Sequence, residues 1–518
     1  MLQPVRPNRG RQAVSGIHNI PAPVGGLNAR DALDSMDPSD ALVMDNFFPE
    51  GNYTALRRGY ASHGTGLGSG VVQTLMTYNA LNGSEKMFGC ANNVIYDATT
   101  AGAASSAYST SITSNKWQWT NFTNTAGTYL LTVNGADTPL KYDGTTWSTN
   151  SLTGSISSSA SIINLFQFKE RLFFIQKNTL DLWYLASQAI SGVLTKLPLG
   201  GVFENGGQIV AGGAFSFDAG TSIDNYLVVV TDNGEAAIYT GITPGSDFVL
   251  RGVYNVGVPV GNRCIVKIGG DLIIITTKGA VPLSQMINND RSQADKVAIT
   301  AKIQNLFNEA TQNYSSNFGW MAISYPKSRW AVFNIPKVEG QVQTQFVQNV
   351  ITGAWCRFTN MNANCWGMLN DNLYFGGNAG VVYKADTGRQ DNGAQISWDL
   401  KTAFNACGSR GQNKFFKALR PLLLTSGTAS FLAGINVDFD DTAPTGTVSA
   451  TATTAALWGT GLWGTGLWGG LGLLVRKWLT VGRIGTTAAA RFKGAADGIS
   501  VQCNGFDVLY ERSKGTVF

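Results

Sequence analysis

Residues 129–147, YLLTVNGADTPLKYDGTTW, and residues 226–241, YLVVVTDNGEAAIYTG, carry the pattern that decides the fold of this chain. Each consists of an apolar strand, a turn and a second strand that contains or ends in an aromatic residue. The pairs Asn134-Gly135 and Asn233-Gly234 stand at the turns, and such pairs favour β-hairpins because both turn positions require positive φ. The two stretches therefore predict hairpins in a chain that is mainly β.

The same hairpin form recurs along the chain at a regular interval. Its closing aromatics are Tyr96, Tyr142, Tyr184, Tyr239 and Tyr383. Roughly 40–50 residues separate neighbours, and the long gap before the last of them fits about three such units. Residues 271–284, DLIIITTKGAVPLS, and residues 330–358 fill the missing units. Repeats of this length with several strands each are typical of propeller blades, so we predict a β-propeller-like domain over residues 61–390 in preference to a sandwich.

The two ends of the chain have different compositions from the repeats. Residues 1–60 begin rich in Pro and Gly, and we predict an extended N-terminal arm that acts as an assembly clamp, with a short helix from Pro38 to about Asn46. Asp37 can cap that helix, and Pro38 suits its first turn. Residues 391–518 alternate strand-like and turn-like stretches, which predicts a C-terminal β-sandwich-like domain. The fold class is accordingly all-β, or mainly β.

Two further features interrupt the strand pattern. The stretch ADKVAITAKIQNLFNEAT places apolar residues near one face of a helix, which predicts a helical insertion near residues 293–310. The stretch LWGTGLWGTGLWGG repeats Trp every fifth residue, and five matches neither the helix nor the strand period. We predict an extended Gly-rich arm over residues 456–470, whose indole rings pack against this domain, a neighbouring subunit or a partner. Its tryptophans are Trp458, Trp463 and Trp468.

The charge of the chain is low, with 14% charged residues and a formal net charge of +5 over 518 residues. A duplex-binding module normally presents a dense Lys and Arg face, so this balance argues against one. The stretch SRGQNKFFKALRP is the exception, because bases and aromatics together can follow a nucleic-acid strand. We favour a strand with buried Phe and solvated Lys there, and keep its cations as candidates for lining a DNA channel. These cations are Arg410, Lys414, Lys417 and Arg420.

The chain lacks the sequence motifs of common active sites. It contains neither G-x-S-x-G nor a P-loop, and its six Cys include no C-x-x-C pair, so we predict no catalytic residue, no metal and no cofactor. The acidic cluster Asp438, Asp440 and Asp441 is interpreted as a polar strand end rather than a Ca²⁺ site. No run of about 18 apolar residues occurs, so no membrane insertion is predicted.

Both ends of the chain resemble one family of phage virion proteins. Residues 23–60, PVGGLNARDALDSMDPSDALVMDNFFPEGNYTALRRGY, have its G-G-L-N element, its N-x-F-P turn and its R-x-G-Y strand. The Trp-rich stretch, a W-x-x-V-x-x-x-G strand and the terminal F-D-V-x-Y-E strand match its closing segment, and residues 372–388 are similar to its blade hairpins. This is the tail nozzle family of short-tailed phages, also called tail tubular protein B, and the resemblance spans nearly the whole chain.

The resemblance implies a structural, non-enzymatic virion protein that is assembled in the host bacterial cytoplasm. A homo-hexameric nozzle ring would sit below the adaptor and portal, retain the packaged genome and pass it out on infection. The implied partners are further copies of the chain, the tail adaptor protein, tail fibre, spike or needle proteins, and genomic DNA in transient, non-specific contact. Residues 25–60 and the Trp arm are the implied assembly elements. The assembly candidates are Asp37, Pro38, Phe47, Phe48, Arg58, Trp458, Trp463 and Trp468.

Two other functions are compatible with the predicted fold. A host-receptor or glycan-binding tail propeller, with or without depolymerase activity, would need exposed aromatics and, for cleavage, paired acids in a cleft. A propeller that mediates cellular interactions is disfavoured, because the chain lacks the G-H and W-D marks of such repeats.

Overall fold

The computed structural model describes residues 15–218, 223–288, 297–450 and 473–512. Within these ranges the protein is mainly β and consists of many small antiparallel sheets, as the sequence predicts. Its contacts divide the chain into two compact units. Residues 58–394 form the first, called here the seven-sheet unit, and residues 1–57 with 395–518 form the second, called the terminal unit. No helix in the described ranges is long and apolar enough to cross a bilayer.

The described part of the seven-sheet unit contains seven sheets that follow one another along the chain. The strands of sheets 1 and 2 are Thr74–Asn79, Glu85–Ala91, Val94–Asp97 and Ser105–Tyr108, then Gln118–Asn124, Gly127–Val133, Leu140–Tyr142 and Trp147–Thr149. Those of sheets 3 and 4 are Ile162–Phe168, Arg171–Gln176, Asp181–Tyr184, Gly192–Pro198 and Leu152–Gly154, then Ile209–Asp218, Ile223–Thr231, Glu235–Thr240 and Val249–Asn255.

Sheets 5 to 7 complete the series. Their strands are Ile265–Ile268, Asp271–Thr276 and Gly279–Pro282, then Met321–Tyr325, Trp330–Val338, Val342–Asn349 and Trp355–Phe358, then Cys365–Leu369, Asn372–Gly376, Val382–Ala385, Tyr60–Thr65 and Gly102–Ala103. The described helices are the α-helices Leu283–Asn288 and Gln304–Tyr314 and the 3-10 turns Ser159–Ser161, Ile299–Ile303 and Pro326–Ser328.

The first strands of the seven sheets form a closed series of contacts. Each first strand contacts the first strand of the next sheet, and Cys365–Leu369 of sheet 7 contacts Thr74–Asn79 of sheet 1. The two ends of the unit meet in sheet 7, where Tyr60–Thr65 pairs antiparallel with Val382–Ala385. Strand pairing between the start and the end of the unit therefore closes the ring, and the backbone hydrogen bonds of both strands are satisfied there.

The hydrophobic cores of this unit lie between neighbouring sheets. Phe168 and Phe173 of sheet 3 pack with Leu227 and Tyr239 of sheet 4, and equivalent cores join sheet 1 to sheets 2 and 7. A small antiparallel sheet has two faces and can bury them only against its neighbours, so a repeat of such sheets is stable as a set. Each fully buried large apolar side chain contributes about 1.5–3 kcal/mol of transfer free energy.

The repeat that the sequence predicts corresponds to one position in the sheets. Tyr96, Tyr142, Tyr184, Tyr239 and Tyr383 all lie in the third strand of their sheets. The prediction that both residues of each Asn-Gly pair have positive φ is wrong. Only the glycines do, with φ of 73° at Gly135 and 85° at Gly234. The loops are longer than two residues, and in such hairpins a single left-handed Gly after a type I turn is sufficient.

The helical insertion predicted near residues 293–310 overlaps the α-helix Gln304–Tyr314, which extends four residues further, and residues 293–296 lie outside the described residues. Its Phe307 is fully buried, with ring centroids 6.1 Å from Trp320 and 6.4 Å from Phe346. The helix therefore packs on the seven-sheet unit itself.

The described part of the terminal unit contains two sheets. One has the strands Gly26–Leu27, Asp40–Asp45, Ile396–Thr402, Ala488–Ala496, Ala429–Val437 and Gly446–Ala450, in that spatial order. The other has the strands Ser15–Pro21, Phe47–Pro49, Thr54–Leu56, Lys414–Thr425, Leu473–Val475, Leu479–Gly485 and Val501–Arg512.

Strands from the two ends of the chain share these sheets. Asp40–Asp45 pairs with Ile396–Thr402, and both Ser15–Pro21 and Thr54–Leu56 pair with Val501–Arg512. The opening residues thus share sheets and contacts with the closing ones. The sequence alone predicts an arm of residues 1–60 and a C-terminal domain of residues 391–518 as separate segments.

The predicted helix from Pro38 to Asn46 is wrong, since the chain forms a turn and then the strand Asp40–Asp45. The Asp37 carboxylate accepts hydrogen bonds from the backbone N–H (2.8 Å) and hydroxyl (2.7 Å) of Ser39, and its backbone carbonyl accepts from the Asp40 N–H. An Asp that caps a helix can cap a turn equally well. The residues that follow form a strand because they pair with the strand Ile396–Thr402. That pairing joins residues far apart in the sequence, so the local pattern does not indicate it.

Candidate functional site

Three adjoining cavities, of about 310, 410 and 580 Å³, lie along the ring of first strands in the seven-sheet unit. The one of about 410 Å³, called here the axial cavity, is lined by residues from all seven first strands. It shares Trp119 and Ile265 with the 580 Å³ cavity and shares Gln118, Asn262 and Arg263 with the 310 Å³ cavity. The three cavities therefore follow one another through the centre of the ring.

Arg263 crosses this central space. It lies just before the first strand of sheet 5, and its guanidinium reaches the start of sheets 1 and 2. The guanidinium donates hydrogen bonds to the Gln73 carbonyl (3.0 Å), the Thr74 hydroxyl (2.7 Å) and the Trp117 carbonyl (2.8 Å). One side chain thereby ties three sheets together across the ring and narrows the passage between two cavities.

The charge of Arg263 has no carboxylate beside it in the described part of the chain. Its nearest aromatic neighbour is Phe318, whose ring centroid lies 4.8 Å from the guanidinium carbon. Burial lowers the pKa of Arg263, and it raises the pKa of the nearby Cys365 thiol to about 12 and that of Cys90 well above its usual range. Both thiols are therefore neutral at physiological pH, and neither offsets the positive charge.

The rest of the axial wall combines indoles with amides. The Trp119 indole N–H donates to the Leu75 carbonyl at 3.0 Å, which fixes the ring at the cavity. Asn79, Gln118 and Asn262 contribute side-chain amides. Neither the 410 nor the 580 Å³ cavity has an Asp or Glu in its described wall. The wall therefore suits a small polar ligand and offers no pair of carboxylates for hydrolysis.

The centre of the ring is too small for double-stranded DNA. Volumes of 410 and 580 Å³ are those of small-molecule sites, and the major groove of B-DNA alone is about 12 Å wide. Arg263 also bridges the space.

The assembly candidates of the opening segment fall into two groups. Phe47 and Phe48 are buried in the terminal unit, and Phe47 packs edge-on against Trp398 and Phe492, with centroids 6.2 and 5.4 Å apart. Their burial assigns both rings to the core of the chain's own unit. Asp37, Pro38 and Arg58 are exposed, the first two in the turn before Asp40–Asp45. Trp458, Trp463 and Trp468, with the predicted arm of residues 456–470, lie outside the described residues.

The four cations considered for a DNA channel come together on the strand Lys414–Thr425 and the loop before it, but each is engaged within the terminal unit. Lys414 is fully buried, and its ammonium donates to the carbonyls of Ser409, Gln412 (3.0 Å) and Thr486 (2.9 Å). Desolvation lowers the pKa of Lys414. Its position makes it a structural cation that ties a loop to the sheet.

The other three cations pair with acids. Arg410 lies 3.8 Å from the Asp34 carboxylate, and Lys417 forms an ion pair with Glu511. Arg420 donates to Asp507 at 2.7 Å and stacks over the Trp478 ring at 4.7 Å. The aromatics between them alternate as in an ordinary strand, since Phe416 is buried and Phe415 is 40% exposed. Paired cations of this kind present little net charge to phosphates.

The acidic cluster is a turn whose carboxylates accept internal hydrogen bonds. Asp438 accepts from the Thr486 N–H at 2.8 Å, and Asp441 pairs with Lys401 and Arg491, each at 3.0 Å. Among the described residues no group of His, Cys, Asp and Glu side chains could hold a metal ion. These contacts agree with the interpretation of the cluster as a polar strand end.

The residues at the ring centre were not identified from the sequence. Arg263 lies 189 positions from Thr74 and 146 from Trp117, so no local spacing connects them. The one usable signal in the sequence is the repeat itself, because the axial cavity is lined by residues of the first strand of every sheet.

Comparison with known proteins gives distant structural matches. No protein-family profile matches the chain, and no curated protein does. Among solved structures the chain is similar to β-propeller proteins. BBS1N, solved in complex with ARL6DN, is 8% identical with a TM-score of 0.39, over 64% of this chain and 98% of that one. YCF48 bound to D1 peptide is 10% identical with a TM-score of 0.36, over 66% of this chain and 97% of that one. YCF48 from Cyanidioschyzon merolae is 10% identical with a TM-score of 0.34, over 58% of this chain and 90% of that one. Likenesses at these TM-scores carry no information on function.

Proposed function

We propose that this chain is a structural subunit of a short phage tail, a nozzle ring of six copies that forms the DNA conduit below the adaptor and portal. The ring retains the packaged genome and lets it pass into the host. In this proposal the seven-sheet unit is a seven-bladed β-propeller, the terminal unit is a β-sandwich, and neither performs bond chemistry.

One observation carries the proposal. The segments that resemble the nozzle family stand at opposite ends of the chain, yet they fold into the same unit. Residues 25–57 of the opening segment pair with Ile396–Thr402 and Val501–Arg512, and the latter strand contains the F-D-V-x-Y-E motif. Because the opening and closing segments fold into one unit, there is a physical reason for both to be found in the same sequence. Their two resemblances to the nozzle family therefore support each other as features of one structural unit.

The propeller assignment rests on the closed contacts of the first strands and on the pairing of Tyr60–Thr65 with Val382–Ala385. Because the small axial cavity of each propeller is bridged by Arg263, the genome cannot travel through it. The conduit of the proposal is therefore the space enclosed between copies, and ring closure requires heterologous contacts that return on themselves.

The electrostatics of the chain suit a passage for DNA. A lumen lined with free Lys and Arg would bind phosphates through counterion release and slow ejection. The cations of Lys414–Thr425 are instead buried or paired with acids, as described above. The low charged fraction of 14% acts in the same direction.

The test is the mass and shape of the purified protein, alone and mixed with the tail adaptor protein of the phage that carries the gene. Native mass spectrometry is expected to give six times the 55.2 kDa of one chain, and negative-stain images are expected to show rings that stack on the adaptor. A trimer that cleaves polysaccharide would replace the proposal with the glycan-binding alternative. A monomeric protein that does not bind the adaptor would also refute the nozzle proposal.

A variant with Trp458, Trp463 and Trp468 replaced by Ala tests the assembly role of the Trp arm. We expect loss of the ring with an unchanged circular dichroism spectrum. The matched control replaces three exposed apolar residues of the seven-sheet unit, Leu81, Val193 and Ile242, which are 78, 68 and 57% exposed. Normal rings from the Trp variant would contradict the arm's role.

A further inference from the structure

The axial cavity contains a positive charge that no described acid neutralises. Arg263 makes hydrogen bonds to two carbonyls and one hydroxyl, all of them neutral acceptors. Neutral acceptors satisfy N–H groups but leave the charge uncompensated, and a cation withdrawn from water without a counter-ion is unfavourable. An anion bound beside it would remove that cost.

The guanidinium also has donors to spare. Arginine carries five N–H donors, and Arg263 uses three of them in the described structure. The guanidinium therefore keeps two N–H donors for a further partner, and a group rich in acceptor oxygens would satisfy them.

Two other side chains of the wall suit hydroxyl groups. The side-chain amides of Gln118 and Asn262 form no hydrogen bond with described residues, and each is at least partly accessible. An amide both donates and accepts, which matches a hydroxyl. Trp119, held by its bond to Leu75, adds a flat apolar surface of the kind that packs against the ring of a small polar molecule.

We propose that the axial cavity binds a sugar acid or sugar phosphate of monosaccharide size, with its oxyanion on Arg263 and its hydroxyls on Gln118 and Asn262. Carboxylate and phosphate each present a pair of oxygens that a guanidinium can bind through two parallel N–H bonds. The cavity volume of about 410 Å³ lies in the range of small-molecule sites. This site belongs to the seven-sheet unit alone, so it does not depend on the tail function proposed above.

Isothermal titration of the full chain with four probes tests the proposal. The probes are glucuronate, glucose 6-phosphate, glucose and inorganic phosphate. We expect at least one of the two acidic sugars to bind at least about tenfold more tightly than both glucose and inorganic phosphate, and the preferred one identifies the oxyanion. Failure of both acidic sugars to bind below about 10 mM would overturn the proposal, as would equal affinity for glucose or for inorganic phosphate.

Variants locate the site. Arg263→Gln is expected to weaken binding of the acidic sugar at least about tenfold. Because this change also removes ties between sheets, Gln118→Ala provides a second test on a side chain that no described residue contacts through a hydrogen bond. We expect it to weaken the sugar several-fold, whereas Gln312→Ala, the same change on the exposed face of Gln304–Tyr314, leaves affinity unchanged. Unchanged affinity in a folded Gln118→Ala variant would refute the assigned contacts.

Discussion

Replacing Phe47 by Ala should unfold the terminal unit locally while leaving the seven-sheet unit intact. Phe47 is 0% exposed, and its ring meets Trp398 and Phe492 edge-on at 6.2 and 5.4 Å. A Phe-to-Ala change in a packed core costs about 3–5 kcal/mol in the free energy of unfolding. Each 1.4 kcal/mol is a factor of ten, so the open form of this unit should become about 140- to 3,700-fold more populated.

Hydrogen exchange read by mass spectrometry measures this change without assuming that the two-unit protein unfolds in one step. Peptides that cover Ile396–Thr402 and Ala488–Ala496, which carry Trp398 and Phe492, should exchange faster by the factor given above. Peptides of the seven-sheet unit, such as Ile162–Phe168, should keep their protection.

The matched control is Phe415→Ala in the same unit. Phe415 is 40% exposed and lies opposite Ile484, itself 67% exposed, so its removal should cost below about 1 kcal/mol. A loss below about 1 kcal/mol for Phe47→Ala, or equal losses for both variants, would refute the assignment of Phe47 to the core.

Three further predictions concern charge, pH and backbone shape. Arg491→Met should lower the free energy of unfolding in urea by about 3 kcal/mol, because it leaves the Asp399 carboxylate without the guanidinium that donates to it at 2.9 and 2.8 Å. The control Lys493→Met removes a 53% exposed ammonium 3.8 Å from the same carboxylate and should cost below about 1 kcal/mol. Equal losses in the two variants would contradict this. Asp137→Asn should destabilise the protein more at pH 7 than at acidic pH. Burial raises the pKa of Asp137, but hydrogen bonds from Thr113, Asn134 and Ser114 outweigh it, so the net folded pKa lies below the unfolded value. The stabilisation is therefore present above the unfolded pKa of about 4 and is lost as pH falls through the folded pKa; a difference independent of pH would be inconsistent with this. Gly380→Ala should lower the melting temperature far more than Gly388→Ala. Both glycines have φ near +60°, but a Cβ at Gly380 would lie 1.9 Å from the Gly68 carbonyl oxygen, whereas a Cβ at Gly388 would meet open space. Similar melting temperatures for the two variants would argue against the close approach at Gly380.

The repeated part of the fold could be predicted from the sequence because each repeat depends on residues that are close together along the chain. A buried strand, a turn and a third strand with its Tyr recur in sheets 1, 2, 3, 4 and 7, with Gly135 and Gly234 at the turns of sheets 2 and 4, and each piece lies within about 50 residues. The prediction of a strand with buried Phe and solvated Lys at Lys414–Thr425 is correct for Phe416 and wrong for Phe415, which is 40% exposed, and for Lys414, which is fully buried.

The pairing of strands that are far apart in the sequence could not be predicted in the same way. The turn chemistry of Asp37 and Pro38 fits a helix start as well as a turn, and only the pairing with Ile396–Thr402 makes the next residues a strand. Arg263 likewise stands in an unremarked stretch of sequence and acquires its role from Gln73, Thr74 and Trp117. Sites built from distant residues leave no periodic trace in one sequence.

The pairing of Ser15–Pro21 with Val501–Arg512 has a consequence for synthesis. Ser15 bonds to Glu511 across 496 positions, so the strand Ser15–Pro21 leaves the ribosome long before its partner does. At about 5–20 residues per second this interval is about 25–100 s, during which an unpaired strand edge is open to other nascent chains. A chain that stops before Val501 lacks Val501–Arg512 and cannot complete this sheet, so the fold of the terminal unit requires synthesis through that strand.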